Sequence, residues 1–319
     1  MGLSVIEMLR QVLEIYELLD GPDASGESVE ELLRSRGLEE IEVQRIEGER
    51  GETDFVKIRI AGMEGKTSGG AAPTLGVIGR LGGVGARPEL IGIVSDADGA
   101  ITALSVALKL ADMARRGERL RGDVIVSTHI CPKAPIWPHR PVPFMGSPIG
   151  ISRMLSLEVD GEMDAILSID ATKANRVVKW RGFAITPTVK EGWILKVSDD
   201  LLGVMERVTG RIPRVCPITT QDITPYGNEL DHINSMLQPS TVTTAPVVGV
   251  ALTTEVPVAG CATGANHVID LDEAARFALE VAKDYGRGLC RFYDEEEWAI
   301  IIKRYGPLKL LQTLGRGVA

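Results

Sequence analysis

The sequence predicts an α/β fold with a mixed, mainly parallel sheet and helices on both faces. Three observations carry that prediction. Short apolar runs recur at Leu90–Val94, Val124–Ser127, Ala165–Ile169 and Val247–Leu252, the continuous kind that a strand buried on both faces requires. Helical patterns alternate with them, as in strand–helix–strand units. No repeat of 20 to 50 residues is visible, which argues against a solenoid.

The elements follow in order. Val5, Met8, Leu9, Val12, Ile15, Tyr16 and Leu19 recur at spacings of three and four, which predicts an amphipathic helix over Ser4–Leu19. Gly21-Pro22 stops it. A second helix is expected from Ser28, with Glu31 closing a capping box, to Gly37. Ile41–Ile46 and Phe55–Ile60 alternate apolar and polar residues around a polar turn, which predicts an antiparallel hairpin at a sheet edge. Gly62–Thr74 is rich in small residues and reads as a loop. Ala100–Arg115 is a strong helix pattern. A last long helix is expected from Asp270, capped with Glu273, to about Tyr285. Asp294–Ile302 predicts a terminal helix that packs on the body or on a partner subunit. The organisation expected is one compact unit, with residues 1–62 as helices and hairpin packed on an α/β core of 63–319.

Composition narrows the function. The chain has 35 Lys and Arg against 44 Asp and Glu, a net charge of −9. That argues against a nucleic-acid backbone or an anionic membrane as partner. No run of 18 apolar residues occurs, and charges within the first twenty residues argue against a signal peptide. Cys131, Cys216, Cys261 and Cys290 are scattered with no metal-type spacing, so they read as reduced thiols of a cytoplasmic protein.

Ligands in open α/β sheets gather beyond the carboxyl ends of the strands. The polar residues there are Asp96 and Asp98, His129, Asp170 and Lys173, and the stretch from Thr219 to Asn228 that holds Asp222. Each has a plainer role open to it: Asp98 as a helix N-cap, Asp170 as a turn cap, His129 as a satisfied imidazole, His232 as a solvated helix start. If Asp96, Asp98 and Asp170 converge, each pair ~4 Å apart repels by about 4 kcal/mol at an effective dielectric of ~20. A cation or a raised pKa must then compensate. Carboxylates with an imidazole suit Zn, Mn or Mg. His267 ends a small-residue loop before a helix, a place that can cradle an anion. Gly79-Arg80-Leu81-Gly82-Gly83 lacks the dinucleotide fingerprint. No nucleophile elbow or phosphate-binding loop is present.

The series Ile93-Val94-Ser95-Asp96-Ala97-Asp98-Gly99, Met163 to Thr172 and Ile269-Asp270-Leu271-Asp272-Glu273 resembles the co-catalytic zinc exopeptidases, a superfamily of aminopeptidases and deacylases with a phosphorylase/hydrolase-like core. The likeness runs patchily over residues 75 to 285. It implies that Asp96 bridges two metal ions, that Asp170 is a terminal ligand, and that metal-activated water attacks an amide carbonyl. The sequence departs from the pattern in three places. No Glu pair stands in Thr128-His129-Ile130-Cys131, no His precedes His129, and the last ligand position falls near Thr263 while His267 stands four residues later.

The resulting expectation is a metal-dependent hydrolase of a small peptide or amide with a rearranged site, zinc being preferred to manganese or magnesium. Asp96, Asp170, His129, Asp222 and His267 are the candidate ligands. Glu191 and His129 are the candidate catalytic groups, and Asp98, Lys173, His232 and Asn228 the substrate contacts. The rival expectation is a non-catalytic metabolite binder on the same fold. A homo-oligomer is expected in either case.

Overall fold

The computed structural model of the protein describes residues 4–316, with side chains from residue 8. The Val5 side chain of the first apolar stripe lies outside the described residues. In chain order the elements are α1 (Ser4–Asp20), α2 (Gly26–Ser35), β1 (Ile41–Gly48), β2 (Gly51–Ile60), β3 (Leu75–Gly79), α3 (Asp98–Arg115) and β4 (Val124–Ile130). A small ribbon of β5 (Ile136–Trp137) and β6 (Phe144–Met145) follows, then α4 (Ile151–Glu158), β7 (Ala165–Ala171), β8 (Gly182–Ile185), β9 (Val189–Lys190) and β10 (Trp193–Ile194). The chain continues through α5 (Asp199–Thr209), β11 (Val247–Thr253), α6 (Val268–Gly286) and α7 (Glu295–Tyr305).

The main sheet runs β1-β2-β4-β3-β7-β11-β9-β10, with β8 also paired to β11. Its centre, β4-β3-β7-β11, is parallel. The β1–β2 hairpin adds antiparallel strands at one edge, and β8, β9 and β10 do so at the other. The fold is therefore α/β with a mixed, mostly parallel sheet. Side chains alternate along each central strand. Leu75, Val77, Leu167 and Ile169 enter a core shared with α1, α2, α3, α5 and α6. Ile78, Ile125 and Ile166 enter a second core on the other face. That second face is covered by α4 and by a 3-10 segment, Ser235–Thr241, rather than by a full helical layer.

Several expectations are corrected. The first central strand is β3, not Leu90–Val94; Gly76 and Gly79 dilute the apolar signal of β3, and residues 90–94 form a loop. The second helix is capped three residues earlier than expected, by Ser25, with Ser28 closing the capping box. Ala97 and His267, not Asp98 and Asp270, precede α3 and α6. Those two carboxylates are thereby free of capping duty. Asp270 instead lies 3.7 Å from the Arg181 guanidinium.

Two glycines bring α3 onto the sheet. A Cβ on Gly79 would stand 2.6 Å from the Gly99 carbonyl oxygen, and one on Gly99 would stand 2.7 Å from that of Ile169. The start of α3 therefore lies directly over the carboxyl ends of β3 and β7. Among the described residues no helix is long and apolar enough to cross a membrane.

Candidate functional site

Asp96 stands in the 3-10 turn Ser95–Ala97 that feeds α3, and Asp170 stands near the end of β7. Both are buried. Burial pushes the Asp96 carboxyl well above its ordinary range, and the charges of Asp170 and Asp98 push it further. Asp96 makes no side-chain hydrogen bond among the described residues, and loop 259–263 closes over it, with Gly260 leaving no room for a Cβ. Burial also raises Asp170, against the Ser235 hydroxyl that donates to its Oδ2 and the field of Arg80. Its Oδ1 is buried without a partner. The structure thus places Asp96 and Asp170 in each other's field.

Asp98 shares the corner but is already satisfied. It pairs with the buried Lys173 ammonium and accepts from Asn266 Nδ2 at 2.6 Å. Lys173 also donates to the Ala265 carbonyl at 3.4 Å. His267, just before α6, is near enough for its charge to act on Asp98.

Sequence reasoning missed a second buried pair. Arg80 leaves the end of β3 with no exposed surface and pairs with Glu158 at the end of α4. Burial lifts Glu158 to about 7, although Arg80 holds it down. Arg80 Nε and Nη2 and Glu158 Oε1 have no hydrogen-bond partner among the described residues. Four carboxyl groups therefore share this corner with Arg80 and Lys173. The available signal was an arginine directly after an apolar run, Leu75-Gly76-Val77-Ile78-Gly79, hidden by the glycine-rich stretch around it. The corner also holds Ser95 Oγ, Ser168 Oγ and both side-chain atoms of Asn234, all buried and unpartnered. Such a concentration marks a place for a polar ligand or ordered water.

A cavity of about 160 Å³ opens onto this corner, lined by Asp96, His129, Met145, Met154 and Tyr226 among others. Burial pushes the Tyr226 hydroxyl up to about 12, and Asp170 adds to the rise. Tyr226 is the residue of the stretch from Thr219 to Ser235 that lines the cavity.

The expected metal set does not assemble. Among the described residues no three His, Cys, Asp or Glu side chains come together so as to hold a metal ion. His129 is inside β4 rather than beyond it. Its Nε2 accepts from the Gly82 N–H at 3.1 Å, and its Nδ1 bonds Thr53 Oγ1 at 2.8 Å. Those contacts assign a neutral ring with the proton on Nδ1, donating to a hydroxyl that in turn donates to the Ile130 carbonyl at 3.2 Å. The ring also stacks on Phe55, centroids 4.9 Å apart. Burial, with Arg80 nearby, lowers its pKa to about 3. Both nitrogens are occupied by these hydrogen bonds, so neither is free to bind metal or to exchange a proton with a ligand.

Asp222 is buried but spent on the backbone. It accepts from Thr219 N at 2.8 Å and from Ile233 N and Asn234 N at 2.6 and 3.0 Å. Asn228 bonds Thr224 Oγ1, and His232 lies between the Thr224 and Leu230 carbonyls, edge-on to Tyr226. Both brace the segment that carries Tyr226. Glu191 is at the wrong end of the sheet. It sits in the β9–β10 turn beside Lys190, and β9 meets β11 at Val247, the first residue of that strand. Its φ of +46° serves the turn.

A family model described as "Protein of unknown function (DUF1177)" matches residues 44–315, and the chain belongs to that family. No curated protein matches the sequence. Among solved structures, the leucine aminopeptidase of Caenorhabditis elegans is similar in fold, with a TM-score of 0.53 at 12% identity, over 88% of this chain and 66% of that one. This chain thus spans slightly under two thirds of that protein's length. Two structures of the LapA aminopeptidase of Legionella pneumophila match with TM-scores of 0.47 and 0.46 at 8% identity, over 90% and 88% of this chain and 71% and 72% of theirs. The likeness to leucine aminopeptidase shows a shared aminopeptidase-like fold.

Proposed function

We propose that this family member binds a small primary amine, such as an amino acid, its amide or the amino end of a short peptide, with the ammonium held between Asp96 and Asp170. The observation that carries the reading is the orphaned Oδ1 of Asp170 in the field of an Asp96 carboxyl that makes no side-chain hydrogen bond among the described residues and whose cationic neighbour, the Lys173 ammonium, is itself paired with Asp98. Two buried carboxylates in one field call for a positive charge. An ammonium brings three N–H donors, which two carboxylates and one neutral acceptor satisfy. Zinc takes three or four protein ligands, commonly imidazole or thiolate. The residues present do not fit zinc, since His129 is spent and no third donor joins. The cavity, about 160 Å³, is below the ~300–1,000 Å³ of drug-sized ligand sites, so the ligand is small.

A second reading is metal-dependent hydrolysis of a small peptide or amide. It is favoured by the all-oxygen surroundings of Asp96 and Asp170, because hydrated Mg²⁺ binds through one or two carboxylates. Calorimetric titration with leucinamide and a dipeptide separates the two. Saturable binding in EDTA that is lost in Asp96→Asn and Asp170→Asn supports the amine site. Binding or cleavage that appears only with Mg²⁺ or Mn²⁺ supports the hydrolase. No binding under either condition overturns both.

A further inference from the structure

A second concavity lies at the other end of α3. Its volume is about 890 Å³, and its walls are the C-terminal halves of α3 and α6, the end of α5, Met8 of α1 and the stretches 63–64 and 118–121. Eight of its seventeen lining residues are Lys or Arg and three are Glu, in a chain whose net charge is −9. Helix C-termini attract cations, which accounts for part of this. It accounts for Arg287, the C-cap of α6, but not for Arg119 and Arg121, which lie past the end of α3. Local acids neutralise four of the eight, Glu64 on Arg121, Asp284 on Arg207, Asp272 on Arg276 and Glu280 on Lys283, and Lys109 and Arg116 are engaged as well. Arg119 and Arg287 are exposed and have no ion-pair partner among the described residues. Met63 is the exposed apolar residue of the same cleft, 62% exposed, while Met8, Met113 and Leu279 form its buried floor.

We infer that this cleft is a binding site for a polyphosphorylated small molecule of nucleotide size. Guanidinium groups match phosphate oxygens bidentately. The exposed Met63 thioether offers a polarizable, adaptable contact for the rest of such a ligand. A concave site that gathers one sign of charge also concentrates oppositely charged ligand. The α3 residues of the cleft begin at Lys109, eleven residues after Asp98, so at ~1.5 Å rise per residue the cleft begins about 16 Å from Asp98. It is therefore independent of the amine site and of the reading given to it.

The test is calorimetric titration of the full chain with sodium triphosphate and with ATP, without divalent metal and at fixed ionic strength. Both probes are expected to bind saturably at one site, ATP the more tightly, and to weaken as salt is raised. The double charge reversal Arg119→Glu, Arg287→Glu is expected to weaken both at least tenfold, and Arg119→Gln, Arg287→Gln to do so by less. Arg140→Glu, on an exposed loop outside the cleft, is expected to change neither. Circular dichroism confirms that the variants fold. The inference is overturned if neither probe saturates, if the double reversal binds as well as the parent, if Arg140→Glu weakens binding as much, or if an oligoglutamate peptide binds more tightly than ATP.

Discussion

Replacing Asp96 by Asn is expected to stabilise the ligand-free protein while destroying amine binding. The carboxyl is buried, makes no side-chain hydrogen bond among the described residues, and feels Asp170 and Asp98. Two unit charges ~6 Å apart at an effective dielectric of ~20 repel by about 3 kcal/mol. Asn keeps the shape and removes the charge, so unfolding free energy at pH 7 should rise by about 2 kcal/mol. The sign depends on pH. A carboxyl raised in the folded state weakens the fold above its unfolded pKa of about 3.9 and costs nothing below it. The gain should therefore be present at pH 7 and vanish below about pH 4. Urea titrations at the two pH values read this directly. A variant less stable than the parent at pH 7 would show that Asp96 is already neutralised in the purified protein, and the reasoning would fall. Leucinamide affinity should drop at least a hundredfold.

Three further outcomes follow from the structure. Asp112 is buried, and burial opposes its charge, but hydrogen bonds from Gln11 and Arg36 hold its pKa below the ordinary range. That stability is present above about pH 4 and lost as pH falls through the depressed value, so Asp112→Asn should cost about 1–3 kcal/mol at pH 7 and little near pH 2, measured by urea unfolding. His129→Ala leaves the Gly82 N–H and the Thr53 hydroxyl without their partner and opens a hole against Phe55; a loss of about 3 kcal/mol is expected, and in the parent the His129 ring resonances should not move between pH 5 and 8. Gly99→Ala drives a methyl into the Ile169 carbonyl, and should cost about 1–3 kcal/mol while weakening amine binding, because the start of α3 must lift off the sheet.

The sequence made the α/β class legible because its cues were local. Val124–Ser127, Ala165–Ile169 and Val247–Leu252 are apolar without interruption, and each lies within a central parallel strand. β3 was missed because two of its five residues are glycine, placed there by the approach of α3 and by Met163. The site was legible only in part, for a reason of geometry. Asp96 and Asp170 stood out as acids after apolar runs. Arg80 and Glu158, 78 residues apart, carry no local sign that they meet. His129 looked like a ligand because its type permits one. Only the fold shows Gly82 and Thr53 on its two nitrogens. Net charge concealed the basic cleft in the same way, since a sum over the chain erases segregation.

The Asp222 carboxylate ties Thr219 to Ile233 and Asn234, so one buried anion cinches a loop of more than a dozen residues at its neck. The segment carrying Tyr226 up to Ser235 is therefore set before any guest arrives. On the proposed reading, recognition beside Tyr226 is fit to a finished mould, with little ordering cost at the moment of docking. A guest too bulky for the mould is turned away rather than accommodated.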